Sequence, residues 1–407
     1  MHARFTKGMG LPLRSLESVR RRRANRMWNT IGEKHNLFPF NNMRPTYLGV
    51  NLSQLGKNME AIRAQVAPAK IMPMVKANAY GHGVDGVAPF IEPYADYIGV
   101  ALVEEGIHLR ELGLRKPILV AGATLPEQIP LFAEYDLTLT GSASDLLDIA
   151  EEVSRSTGRR IRTHLKIDTG MERVGLREYE AEPFLLKSAS YRHVIIEGIY
   201  THLANSELAD KGYSSMQLER FQAVLELYNK HSLPVPPLRH VCNSGGVLNL
   251  PEAYFDMVRP GVLFYGVYPG GDVDRVIEVK PALTWRSHVA FSKRTQPGRP
   301  VSYGSLWQAE VETGIVTIPC GYADGYFRRM TNRAHVIIHQ KKYPQVGRIC
   351  MDQFMVNIGD DDIKVGDEVT LLGEGITAED LAQWMGTNEY EVMTNISARV
   401  PRIYLNE

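Results

Sequence analysis

From Thr46 onward, short runs of β-branched and other apolar residues alternate with segments whose apolar residues recur every three or four positions. This alternation restricts the fold more than any other feature, because parallel strands can be joined only by crossovers, usually helical. The runs are Ile71 to Val75, Tyr97 to Val103, Pro117 to Ala121, Leu137 to Thr140, Arg162 to Ile167, Val194 to Tyr200, Leu238 to Val241 and, more weakly patterned, Ala253 to Val258. Helical spacing shows in Leu55, Met59, Ile62 and Val66 before the first run and in Leu218, Phe221, Leu225 and Tyr228 before the seventh. Eight repeats within about 200–250 residues suit a closed (β/α)8 barrel, although periodicity alone also permits an open doubly wound sheet. The barrel is the preferred reading.

After Pro281 the texture changes to closely spaced strand-like runs with one helix starting near a Thr377 to Asp380 cap. The expected organisation is α/β: an Arg-rich extension over 1–45, a TIM-type (β/α)8 barrel over 46–281, and a β-rich C-terminal domain over 282–407. The extension carries Arg14, Arg20 to Arg23 and Arg26 without an apolar stretch, so it does not read as a secretory signal. It remains open between a solvated tail, an upstream start and an organellar transit segment.

Lys plus Arg and Asp plus Glu number 46 each, which leaves no net basic field for nucleic acid or an anionic membrane. No apolar run reaches the ~18 residues of a membrane span. Cys242, Cys320 and Cys350 are few, far apart and form no metal-type pair, so no metal is expected and a reducing cytoplasm is the simplest setting. Partners are expected to be small molecules.

A barrel collects the C-terminal ends of its strands on one face, where barrel enzymes build their sites. Lys76 follows the first run, Arg173 the fifth, His202 the sixth, Asn243 and Ser244 the seventh and Arg259 the eighth. Lys76 leaves an apolar strand, where burial would favour the neutral amine that attacks an aldehyde; the alternative is a lysine that snorkels to solvent. Ser244-Gly245-Gly246 and Pro260-Gly261-Val262 could present backbone N–H groups to a phosphate, or could be ordinary turns.

Nine ordered stretches carry a family resemblance: Met74 to Gly83, His164 to Met171, Thr201-His202, Asn243-Ser244, Met257 to Gly261, Val301 to Gly304, Gly321 to Gly325, Gly347 to Gln353 and Arg399 to Arg402. In order and spacing together, they resemble the alanine racemases, whose fold is a barrel followed by a β domain. The resemblance implies pyridoxal phosphate as cofactor, interconversion of L- and D-alanine that supplies peptidoglycan synthesis, and a homodimer with shared sites.

By the same resemblance Lys76 holds the cofactor as a Schiff base and serves as one catalytic base. Tyr303 is the other, supplied from the neighbouring subunit. Tyr80, Ser244, Gly261, Val262 and Tyr390 match positions around the phosphate. Arg259 faces the pyridine nitrogen, and because a guanidinium gives up its proton reluctantly, that nitrogen stays largely unprotonated. His202 matches the residue that orients Arg259. Arg173 and, through its backbone N–H, Met351 match contacts to the substrate carboxylate, and Tyr322 lines the access path. Lys166 matches a position carbamylated in many members, where the new anion would hold Arg173. Glu172 stands where the family more often has glycine.

Other readings are a serine or broad-specificity racemase on the same scaffold, and a non-catalytic pyridoxal-phosphate carrier. The carrier barrels lack the β domain, Tyr303 and Arg259. Barrel decarboxylases for basic amino acids place an acidic residue opposite the pyridine nitrogen rather than an arginine.

Overall fold

A computed structural model describes residues 44–406; the Arg-rich run and the readings attached to it lie outside the described residues. The first strand, β1 (Tyr47–Asn51), leads into a helix over Leu52–Val66 whose Leu55, Met59, Ile62 and Val66 are buried at the expected spacing. Asn51 starts that helix by accepting the Gln54 N–H at 2.8 Å. Next come β2 (Lys70–Ile71), β3 (Ile98–Val100), β4 (Ile118–Val120), β5 (Leu139–Gly141), β6 (Arg162–Asp168), a short β7 (Leu176–Arg177) paired to the end of β6, β8 (Ile195–Tyr200), β9 (Leu238–His240) and β10 (Met257–Val258).

These strands form a ring. Parallel ladders join β3 to β4, β5 to β6, β6 to β8, β8 to β9, and β10 back to β2. Single parallel bridges, Met74 to Gly99 and Leu119 to Thr138, complete the β2–β3 and β4–β5 seams. The Arg259 N–H donates to the Cys242 carbonyl at 2.9 Å and ties the last seam. The barrel is therefore closed. Its regular strands are shorter than the apolar runs for local reasons. Pro73 has no N–H to give and interrupts Ile71 to Val75, while Pro251 opens a 3-10 turn over Pro251–Ala253 that consumes the start of the eighth run.

The C-terminal part is built from β11 (Leu283–His288), β12 (Phe291–Thr295), β13 (Thr313–Ile318), β14 (His335–Ile338), β15 (Lys341–Val346), β16 (Phe354–Gly359), β17 (Glu368–Leu372) and β18 (Arg402–Leu405). They form one sheet in the order β12-β13-β16-β15-β14-β17-β11-β1-β18. Here the structure corrects the expected boundary at residue 46. β1 is not a barrel strand, since it lies antiparallel to β11 and parallel to β18, and this two-sided pairing seals the fully buried Leu48 and Val50. The barrel part begins with the helix at Leu52.

Thr377 and Asp380 form the expected reciprocal cap of a helix over Ala378–Met385. A second helix, Glu389–Thr394, is capped by Asn388 and is too short for periodicity to reveal. It carries Tyr390.

Candidate active site

At the C-terminal rim of the barrel lies a cavity of about 540 Å³, within the size range of cofactor sites. Lys76, Tyr80, Lys166, Arg173, His202, Ser244, Arg259, Gly261 and Val262 line it from the barrel, and Tyr390 lines it from the C-terminal part. Tyr303 and Met351 do not. They line a shallower cavity with Tyr322, Arg348, Cys350 and Asp352, and the two linings share no residue.

Lys76 stands at the start of an unusual backbone turn. Ala77, Asn78, Ala79 and Tyr80 have φ of 52°, 55°, 53° and 50°, a left-handed helical turn made without glycine. Each such residue costs about 1–2 kcal/mol relative to the right-handed form, so the surroundings must impose the conformation. Glu105 accepts the Ala77 N–H at 2.6 Å and the Ala101 N–H at 2.8 Å, while Asn78 accepts the Val84 N–H at 2.8 Å. The turn ends at Gly81, where a Cβ would lie 2.1 Å from the Met393 carbonyl oxygen, and Arg402 donates to the Gly81 carbonyl at 3.0 Å. A one-turn helix places Lys76 and Tyr80 on the same side, and both face the cavity. Burial, and secondarily the Arg173 charge, lower the Lys76 pKa, while Glu105 opposes them. The neutral amine becomes more accessible.

Arg259 forms the floor. It donates from Nη1 to His240 Nδ1 at 2.8 Å and from Nη2 to the carbonyls of Thr201 and Val241, each at 2.8 Å; His202 Nδ1 is farther, at 3.4 Å. His240, which the sequence reading does not single out, is thus the nearer imidazole. Burial pushes the Arg259 pKa down to about 10, which still leaves a cation at neutral pH. Lys166 Nζ is buried without a hydrogen-bond partner, 4.6 Å from the Tyr200 ring centroid. Burial first and Arg259 second hold its pKa well below that of an ordinary lysine.

Arg173 is delivered by a loop wound around Asp168. The two carboxylate oxygens accept the N–H groups of Gly170, Met171, Glu172 and Arg173 at 2.9, 2.8, 3.1 and 3.0 Å. Burial raises the Asp168 pKa, but these backbone donors outweigh it and keep the carboxyl ionised. Glu172 has φ of 52°, a conformation that favours glycine, and its side chain lies in an exposed ion pair with Arg177.

At the other end, Ser244 Oγ accepts the Gly261 N–H at 2.9 Å and the Leu263 N–H at 3.3 Å, so two loop ends are pinned together. A Cβ on Gly261 would meet the Tyr80 hydroxyl oxygen at 2.5 Å. Burial raises the pKa values of Tyr80 and Tyr390, which keeps both phenols as donors. One amine, a floor cation and an opposite end rich in hydroxyl and backbone groups fit pyridoxal phosphate, which carries an aldehyde, a ring nitrogen and a phosphate.

Tyr303 is 70% exposed, and Met351 and Tyr322 beside it are 53% and 37% exposed. The turn bearing Tyr303 is held firmly: Ser302 and Gly304 have φ of 67° and 72°, and Ser302 Oγ donates to the Arg348 carbonyl at 2.6 Å. Gly321 supports the neighbouring loop, where a Cβ would lie 2.3 Å from the Met351 carbonyl oxygen.

Comparison with known proteins agrees over nearly all of this architecture. The alanine racemase N-terminal domain family matches residues 50–269, and the alanine racemase C-terminal domain family matches residues 282–404. An alanine racemase of Carboxydothermus hydrogenoformans is 42% identical over 370 residues, covering 89% of this chain and 100% of that protein. A solved alanine racemase from Clostridium difficile 630 is similar with a TM-score of 0.86 and 35% identity, covering 90% of this chain and 97% of that one. Another, from Bartonella henselae and described with covalently bound pyridoxal phosphate, gives a TM-score of 0.82 at 27% identity, covering 89% of this chain and 100% of that one.

Proposed function

The chain belongs to the alanine racemase family, and from that premise we propose that Lys76 and Tyr303 are the two bases with which it interconverts L- and D-alanine. The observation that carries this reading is the convergence of Lys76, Arg259, Arg173 and Tyr390 on one rim cavity. When bound, pyridoxal phosphate supplies the electron sink that acidifies the alanine Cα–H. Lys76 Nζ would hold the cofactor at its aldehyde and would move a proton at one face of Cα. Tyr80, Ser244, Gly261, Val262 and Tyr390 hold the phosphate. Arg259 would present a donor to the ring nitrogen and, because a guanidinium keeps its proton, would leave that nitrogen largely unprotonated; His202 flanks Arg259. Arg173 and the Met351 N–H bind the substrate carboxylate. D-Alanine made in this way serves peptidoglycan synthesis.

The exposed Tyr303, in a cavity apart from Lys76, supports a homodimer in which each Tyr303 completes the partner's site. Lys166 is proposed to be carbamylated: its buried, unpartnered Nζ, whose charged form burial and Arg259 disfavour, would add carbon dioxide and lose a proton, placing an anion near Arg173 and Arg259. Carbon-13 bicarbonate should give a slowly exchanging carbamate resonance that Lys166→Met removes; no such signal would refute the modification. No helix among the described residues is long and apolar enough to cross a membrane, and the sparse cysteines support a cytoplasmic setting.

Incubation with single enantiomers of alanine and serine, followed by chiral separation with and without added pyridoxal phosphate, tests the function. Alanine should reach an equal mixture in a cofactor-dependent manner and much faster than serine. Bound cofactor without any racemisation would instead support a carrier.

A further inference from the structure

Arg259 has no carboxylate within ion-pair distance among the described residues, yet it begins a line of buried polar groups that crosses the barrel interior. Its Nη1 donates to His240 Nδ1 at 2.8 Å, His240 Nε2 lies 2.8 Å from His164 Nδ1, and His164 Nε2 lies 3.7 Å from Glu197 Oε2. His164 and His240 are both fully buried. Glu197 also accepts the Tyr97 hydroxyl at 3.0 Å, and Arg162 Nε is 4.0 Å away.

Chemistry fixes the direction of this line. A guanidinium can only donate, so His240 Nδ1 must accept and the His240 proton must sit on Nε2. That proton can be given only to His164 Nδ1, which puts the His164 proton on Nε2, facing the carboxylate. Burial, in first place, lowers the pKa values of both imidazoles and keeps them neutral, as one proton per ring requires. The fold makes room for the arrangement. A Cβ on Gly198 would lie 2.6 Å from His164 Cγ, and the Tyr200 ring stacks on His240 with centroids 4.6 Å apart.

We propose that His240, His164 and Glu197 are positioning residues: a one-directional chain from Arg259 to a carboxylate farther down the barrel, which fixes both imidazole tautomers and so holds the guanidinium in its orientation toward the cofactor ring nitrogen. The proposal rests on the assignment of Arg259 to that nitrogen. Glu197 faces the last N–H at 3.7 Å, beyond direct hydrogen-bond distance, so the carboxylate acts on that proton and on the Arg259 charge electrostatically, across two neutral rings. A side chain able to donate at position 197 allows the chain to reverse, bringing a His240 N–H against the Arg259 N–H. Two opposed donors would then turn the guanidinium away.

Nitrogen-15 imidazole spectra of the holoenzyme, compared with Glu197→Gln and Glu197→Asp, test this. In the unaltered protein and in Glu197→Asp, His164 and His240 should both carry the proton on Nε2 at neutral pH. Glu197→Gln should move the His164 proton to Nδ1, displace the visible absorbance of the bound cofactor, and lower kcat about 10-fold with little change in KM. Nδ1 protonation of either histidine in the unaltered protein would overturn the proposal, as would a Glu197→Gln variant with unchanged tautomers and kcat. If Glu197→Gln does not fold, the unaltered protein and Glu197→Asp still decide the matter through the position of each proton. An unaltered protein with the stated tautomers but no racemisation would count against the assigned function and not against the direction of the chain.

Discussion

Replacing Lys76 with alanine should abolish racemisation, by about 10³-fold or more, and in the same stroke remove the cofactor that borohydride otherwise traps on the protein. Both losses follow from one atom. Lys76 Nζ is proposed as the covalent anchor and as a base, and no second amine can replace it in both roles. Among the described residues Lys166 is the only lysine besides Lys76 in the lining of the cavity, and it is the more deeply buried of the two. It is also the competitor that makes the experiment informative. If peptide mapping after reduction found the adduct on Lys166, or if Lys76→Ala kept its trapped cofactor, the assignment of the anchor would fail.

Tyr303→Phe should lower turnover by about 10²–10⁴-fold, the usual contribution of a positioned acid–base group, while leaving cofactor trapping on Lys76 intact. The stronger result is expected on mixing. Lys76→Ala and Tyr303→Phe are each inactive alone, but a mixed dimer has one site carrying both lesions and one carrying neither. Random exchange would restore about a quarter of the activity, because half the dimers are mixed and half their sites are whole. Exchange confirmed by two affinity tags, with no activity recovered, would eliminate the shared site. In deuterated water Tyr303→Phe should still exchange the Cα–H of D-alanine through Lys76, while L-alanine keeps its proton. The opposite pattern would reverse the faces assigned to the two bases.

The barrel was legible because buried parallel strands are apolar on both faces and their crossovers keep helical periodicity. What escaped were features carried by distance in sequence or by backbone sign. Tyr47–Asn51 alternates no differently from a barrel strand, and only its partners, over 200 residues away in β11 and over 300 away in β18, reveal that it belongs to the sheet. The left-handed turn after Lys76 is made of Ala, Asn, Ala and Tyr, and only Asn carries any signal for positive φ. Glu105 reads as a first-turn helix residue, and nothing local shows that its second oxygen reaches Ala77. His240 and His164 are equally silent, since a histidine inside an apolar strand does not announce which donor it faces. Family resemblance gathered Lys76, Arg259 and Tyr303 because ordered motifs carry information across long separations, but it did not supply this supporting layer.

The pairing of Leu48 with Arg402 also has a meaning in time. β1 leaves the ribosome before any part of the barrel, yet one of its two edges has no partner until the last residues of β18 are made. The barrel is thus threaded between two strands of another sheet, and its synthesis is completed while that sheet still has an open edge. Gly81 rests on Met393 and Arg402, so the turn that aims Lys76, held until then by Glu105 and Asn78, gains the rest of its support only when β18 is made. β18 thus acts as a latch, closing the open edge of the sheet and adding the last contact to the lysine turn in one step.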